Sequence, residues 1–181
     1  MRIFFLILLL LLQFPLLAVP KKVGHPSFLS PHARPVLVHG GRVFVVNTPA
    51  DTIDVIDSRT RQIIHRIDVG IDPVSLAVRP DGRELWVSTH VSDSVSVIDI
   101  NPKSRTYLRV VDTVQDFDLR AKATRFDEPV GIAFASNEKA YVALSSENKI
   151  AIIDVRSRKV RRHLNITAQD PRAIVVRNGK L

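Results

Sequence analysis

The chain opens with ten unbroken apolar residues, Ile3 to Leu12, behind Met1 and the basic Arg2. Gln13, Phe14 and Pro15 interrupt the run before Leu16 to Val19 end it. A spanning helix needs about 20 apolar residues, and a proline inside it is disfavoured. A basic start followed by a short hydrophobic stretch is the layout of a secretory signal, so residues 1–19 are expected to direct export, with cleavage after Ala18. Residues 20–33 carry Pro20, Pro26 and Pro31 among Gly24, Ser27 and Ser30, and read as an extended linker.

Beyond the linker the pattern changes to apolar runs of four to six residues rich in Val and Ile. Gly40-Gly41, Pro80-Asp81-Gly82, Asn178-Gly179 and Ser/Asp/Asn clusters punctuate them, which predicts short strands joined by tight turns. No ten-residue stretch keeps a helical period. Laid on itself, the chain shows three copies of one segment: FVVNTPADTIDVID from Phe44, WVSTHVSDSVSVID from Trp86 and YVALSSENKIAIID from Tyr141, offset by 42 and 55 residues. A proline followed by an apolar triplet precedes each copy: Pro35 with Val36 to Val38, Pro73 with Leu76 to Val78, and Pro129 with Ile132 to Phe134. A fourth such element starts at Pro171 with Ile174 to Val176.

Side chains alternate across a strand, so in Thr52–Asp57, Ser94–Asp99 and Lys149–Asp154 one face carries residues 53 and 55, 95 and 97, 150 and 152. The other carries Ile56, Ile98 and Ile153 beside the small Asp54, Ser96 and Ala151. Both faces are apolar enough to need covering by a neighbouring sheet. Four strands in about 40 residues, repeated and stacked face to face about an axis, predict an all-β fold of β-propeller blades. The expected units are residues 34–73, 74–129 and 130–171, with 172–181 starting a fourth blade.

The aromatic-Val-x-Asn start and the Val-x-Val-Ile-Asp finish resemble the YVTN-type β-propeller repeat over residues 34–181. Asn47 keeps the repeat's asparagine, while Thr89 and Leu144 replace it in the later copies. Family likeness implies a ring of six to eight blades, and hence that these residues form the amino-terminal part of a longer protein. It also implies an exported, periplasmic or extracellular scaffold that holds a ligand or protein partner through loops on one face. The alternative it leaves open is the propeller portion of a periplasmic redox enzyme, such as an amine dehydrogenase or a nitrite reductase haem domain, or of a lactonase-like hydrolase. The cofactor or metal would then need residues beyond Leu181.

Charge narrows the partners. The chain holds 26 Lys and Arg against 18 Asp and Glu, a net charge of +8. Such a surplus attracts anionic partners without saying anything about fold. In an exported chain nucleic acid is the least available of them, and membrane contact is expected only through a signal segment that stays uncleaved. With no cysteine, disulfides, thiolate metal sites and covalent haem attachment are closed to these residues, and no cofactor is expected to be held by them alone.

The expected partner loop lies in the second unit. There 29 residues separate Asp99 from Pro129, against 15 between Asp57 and Pro73 and 16 between Asp154 and Pro171. The excess falls at about 113–126 and carries Asp116, Asp118, Arg120, Lys122 and Arg125. Long insertions between tight strands are either solvated excursions or binding loops. Asp112, Asp116 and Asp118 lack the glycine and terminal Glu of a calcium loop. The densest basic run, Arg156, Arg158, Lys159, Arg161 and Arg162, either protects an outer edge strand or docks an anionic surface.

The remaining candidates are weaker. Asp57, Asp99 and Asp154 recur at strand ends, where Asp accepts turn N–H groups. The six histidines show no ligand spacing. Ser136 with Lys139, and Ser146 with Lys149, match Ser-x-x-Lys without the companion elements that lactamase chemistry needs. Asn165-Ile166-Thr167 is a formal glycosylation sequon, relevant only in a cell that glycosylates secreted chains.

Overall fold

Each copy of the repeat becomes one sheet. The computed structural model describes residues 32–178 and 180–181. The expected signal segment and nearly all of the linker lie outside the described residues. Strands β1 (Val36–His39), β2 (Arg42–Asn47), β3 (Thr52–Asp57) and β4 (Ile63–Asp68) form the first sheet. The second contains β5 (Pro73–Val78), β6 (Glu84–Thr89), β7 (Ser94–Asp99) and β8 (Arg109–Val114). After a two-stranded hairpin of β9 (Phe117–Asp118) and β10 (Ala123–Thr124), the third contains β11 (Pro129–Phe134), β12 (Lys139–Leu144), β13 (Lys149–Asp154) and β14 (Lys159–Asn165). All three four-stranded sheets are antiparallel meanders, the blade geometry of a β-propeller.

An up-and-down meander sorts its connections by end. The first-to-second and third-to-fourth strand turns of every blade lie at one end, here called the turn end. The second-to-third turns and the links between blades lie at the other, the loop end.

Blade faces pack as the alternation predicts. Phe44, Ile53, Val55 and Ile67 of the first blade meet Leu76, Leu85, Val87 and Ile98 of the second. The opposite face of the second blade, with Ala77, Trp86, Val95 and Val97, meets Ile132, Ala140, Val142, Ala151 and Ile153 of the third. Trp86 is fully buried, stacks edge-on against Phe134 at 5.1 Å and donates its indole N–H to Glu84 Oε2 at 3.0 Å. Full burial of one such aliphatic or aromatic side chain contributes about 1.5–3 kcal/mol, so each interface is a substantial apolar core.

The outer strands share one irregularity. Pairing slips by a residue between Val55 and Ile56, between Val97 and Ile98, and between Ile152 and Ile153, placing an extra residue in β4, β8 and β14. Bulges of this kind increase twist and blunt an exposed edge. At the axis, Arg34 bridges Ser75 in parallel, and Leu76 N–H donates to the Arg34 carbonyl at 3.0 Å. Residues 172–174 run along β11 so closely that a side chain on Gly131 would meet the Arg172 carbonyl oxygen at 2.5 Å.

Candidate functional site

At the loop end the long insertion folds back on itself. Ala123 pairs with Asp118 and Thr124 with Phe117, a short hairpin in what the sequence presents only as a charged excursion. Val114 on one side and Phe126 on the other are fully buried and pin its base into the interface between the second and third blades. Arg125 closes the hairpin by donating to Asp116 Oδ1 at 2.9 Å, with Asp118 Oδ2 3.7 Å away. Asp118 Oδ1 accepts the N–H groups of Ala121 and Arg120, which with Arg125 hold its carboxyl below the usual range. Those bonds account for three of the five residues expected there. Arg120 and Lys122 remain exposed at the tip, beside Phe117, 53% exposed, and Leu119, 83% exposed. Phe117 and Leu119 lie two residues apart on one side of the hairpin, and their exposure has no structural use in the described residues.

A second feature of this end is a rim of acids. Asp51, Asp93 and Asn148 occupy left-handed backbone in the three second-to-third turns, a conformation Asn and Asp tolerate better than other side-chain-bearing residues. Each accepts, through its side-chain oxygen, the N–H of the residue before the proline that opens the next blade: Asp72 at 2.9 Å, Glu128 at 3.1 Å and Asp170 at 2.8 Å. His90 lies among them, its Nε2 3.9 Å from Glu128 Oε2 and its Nδ1 buried without a hydrogen-bond partner among the described residues. Burial and the neighbouring Asp127 raise the Asp93 carboxyl above its ordinary value. None of these residues stood out as a site in the sequence, although the repeated Asp-Pro and Glu-Pro dipeptides carry the signal.

The structure divides the basic run of the third blade. Arg158 reaches back to the second blade, donating to Glu84 Oε1 at 2.9 Å and approaching Asp112 Oδ2 at 3.4 Å. Arg161 pairs with Asp154 at 2.8 Å. Arg162 is exposed on the outer strand, whereas Arg156 and Lys159 are exposed at the turn end. The recurrent aspartates take the turn-capping role: Asp57 Oδ1 accepts from Thr60 N–H at 2.9 Å, Asp99 Oδ1 from Asn101 N–H at 2.9 Å, and Asp154 Oδ1 from Ser157 N–H at 2.8 Å.

Along the axis a cavity of about 260 Å³ is lined by Ala33, Arg34, Ser75, Gly131, Ile132 and Ala173–Val175, with Arg34 its one charged residue. No group of three or more His, Cys, Asp or Glu among the described residues is placed to hold a metal ion.

Comparison with known proteins agrees with this architecture. No family model matches the chain, and no curated protein matches it. Among solved structures it is similar to a chain of Kuenenia stuttgartiensis hydrazine synthase, at 27% identity and a TM-score of 0.62, covering 86% of this chain and 41% of that one. It is also similar to the β-propeller domain of Myceliophteria thermophila Cps50 (Swd1), at 18% identity and a TM-score of 0.62, covering 77% of this chain and 43% of that one. U3-55K gives 13% identity and a TM-score of 0.63, with 86% of this chain and 46% of that one covered. The chain thus spans less than half the length of each of these structures. Repeated meanders, shared inter-blade cores and these likenesses together make the described residues blades of a β-propeller.

Proposed function

We propose that this chain is a non-catalytic scaffold of an exported β-propeller, of the YVTN-type repeat, which holds a protein or small-molecule partner at its loop end. The observation that carries the reading is the β9–β10 hairpin. Among the described residues it is the one long excursion in an otherwise tight repeat, it is anchored by buried Val114 and Phe126, and it leaves Phe117 and Leu119 in solvent beside Arg120 and Lys122, which form no ion pair among those residues. A pinned base with an exposed apolar and cationic tip supplies contact area without the entropy cost of ordering a floppy loop.

The test is a photo-crosslinking residue at position 119, compared with one at exposed Ser157, in the cell that makes the protein. Capture of one defined partner from 119 only, abolished by R120E/K122E in a chain that still melts cooperatively, supports the reading. Equal capture from both positions, or none from 119, overturns it.

A second reading has an observation of its own, the 27% identity to a hydrazine synthase chain over most of these residues. On it, the blades are the structural portion of a redox enzyme whose cofactor is held elsewhere. Purification of the intact protein from its source with a bound chromophore would favour this reading.

A further inference from the structure

We infer that the turn end of the propeller docks on an anionic lipid surface, a role separate from partner binding at the loop end. The topology brings exposed cations from all three blades to this one end: Arg59 and Arg61 from the β3–β4 turn, Lys103 and Arg105 from the β7–β8 connection, and Arg156 and Lys159 around the β13–β14 turn. None of these six takes part in an ion pair among the described residues.

The carboxylates at the same end do not cancel them. Asp57 is spent on Arg42 at 2.7 Å and Asp154 on Arg161. Glu84 is shared by Arg79 at 3.2 Å and Arg158, and Asp81 lies 3.4 Å from Arg79 and 4.0 Å from Arg83. Asp99 and Glu138 keep uncompensated charge, too little to offset six cations. At the loop end the balance reverses, because Asp68, Asp93, Asp127 and Glu128 crowd the blade links and outnumber the hairpin's Arg120 and Lys122, while Arg125 is taken by Asp116. The charge of the described blades is therefore polarised along the axis and not spread evenly.

Shape selects the occupant. The cations sit on turns of three adjacent blades, and of the six only Arg156 lines the recess between the second and third blades, so they are spread across the end and not gathered in one groove. A single-stranded nucleic acid would need exposed rings for its bases to stack on. Trp86 and Phe134 near this end pack against each other and Tyr107 against the core of the first and second blades, which leaves the half-buried Tyr141 as a single ring and no row of rings for successive bases. A planar array of headgroup phosphates asks only for dispersed cations at one level, each strengthening attachment within a Debye length.

The experiment uses the full chain with vesicles of phosphatidylcholine alone or with 30% phosphatidylglycerol (both chosen as probes), since the apolar amino-terminal segment contributes equally to every variant. K103Q/R105Q/R156Q/K159Q is expected to lower the bound fraction on the anionic vesicles roughly tenfold or more at low salt, with little change on neutral ones. R120Q/K122Q at the loop end is expected to change little, and so is a K103R/R105K/R156K/K159R control that keeps the charge. Equal losses from both ends, salt-insensitive binding, or tighter binding to a DNA duplex than to the anionic vesicles at equal charge overturns the proposal.

Discussion

Asp93 Oδ1 accepts the backbone N–H of Glu128 at 3.1 Å, tying the central turn of the second blade to the first strand of the third. Asn148 makes the same bond to Asp170 one blade later, at 2.8 Å. The latch needs an oxygen acceptor and not a charge. In Asp93 the charge is a burden, because burial and Asp127 raise its carboxyl above the ordinary value. A raised folded-state value means that stability is greatest below the unfolded value of 3.8 and falls as pH rises through the folded one. Asp93→Asn should therefore melt higher than the native chain at pH 7, with the gap closing toward pH 3. Asp93→Ala, lacking the acceptor, should fall below Asp93→Asn by about 1 kcal/mol. Calorimetry across pH decides, and a D93N chain less stable than the native one at pH 7 removes the argument.

The turn-end aspartates carry the opposite sign. The Thr60 N–H holds Asp57 below its usual range, the Ser157 N–H does so for Asp154, and for Asp99 the Ser104 and Thr106 hydroxyls outweigh the opposing cost of burial. Depressed folded-state values stabilise above the unfolded 3.8 and are lost as pH falls through them. The melting temperature should decline below about pH 4, and replacing all three by Asn should flatten that decline. An unchanged acid limb in the triple variant would mean that other carboxylates govern acid unfolding.

Gly131 tests how tightly the segment after the third blade is held. No positive φ demands glycine there, but a Cβ would stand 2.5 Å from the Arg172 carbonyl oxygen and 3.0 Å from the Ile174 nitrogen. Backbone cannot swing aside as a flexible side chain does. Gly131→Ala should push residues 172–174 off β11, at a cost of roughly 1–3 kcal/mol if the segment stays docked. Hydrogen exchange reads the outcome: faster exchange confined to 171–176 is expected, and unchanged rates would show the segment is not packed in solution.

What the residues disclosed in advance, and what they withheld, divides along one line. Repetition of apolar alternation was enough for the blades, because period-2 burial on two faces has few architectural solutions. The caps at Asp57, Asp99 and Asp154 were readable because a turn is local. The role of Arg158 was not, since its partners Glu84 and Asp112 lie in another blade and nothing near Arg158 in the chain distinguishes it from Arg156. The hairpin was hidden because its strands are two residues long and its anchor, Phe126, looks like one apolar residue in a charged loop. The polarity of the two ends needed topology, which assigns each turn to an end only after the meander is known.

The two blade faces that the described residues leave uncovered are halves of one interface type. In the register of the repeat, Phe44, Trp86 and Tyr141 are equivalent, paired with Leu37, Ala77 and Ala133 respectively. The Tyr141 face of the third blade, with Ile152 opposite it, is therefore the counterpart of the Trp86 face, which meets the next blade. The Val43 and Val45 face of the first blade, with Val36 51% and Val38 68% exposed beside it, corresponds to the Leu85 and Val87 face, which meets the previous one. Large exposed apolar faces associate, and two different complementary faces associate head to tail. The 181-residue chain should self-associate in sedimentation velocity at micromolar concentration. Val45→Lys and Tyr141→Lys should each break the contact, yet a mixture of the two variants should form a one-to-one dimer, because each keeps the face the other lacks. A mixture that stays monomeric, or a native chain that is monodisperse and monomeric, would mean that the uncovered faces do not complement each other as the repeat register requires.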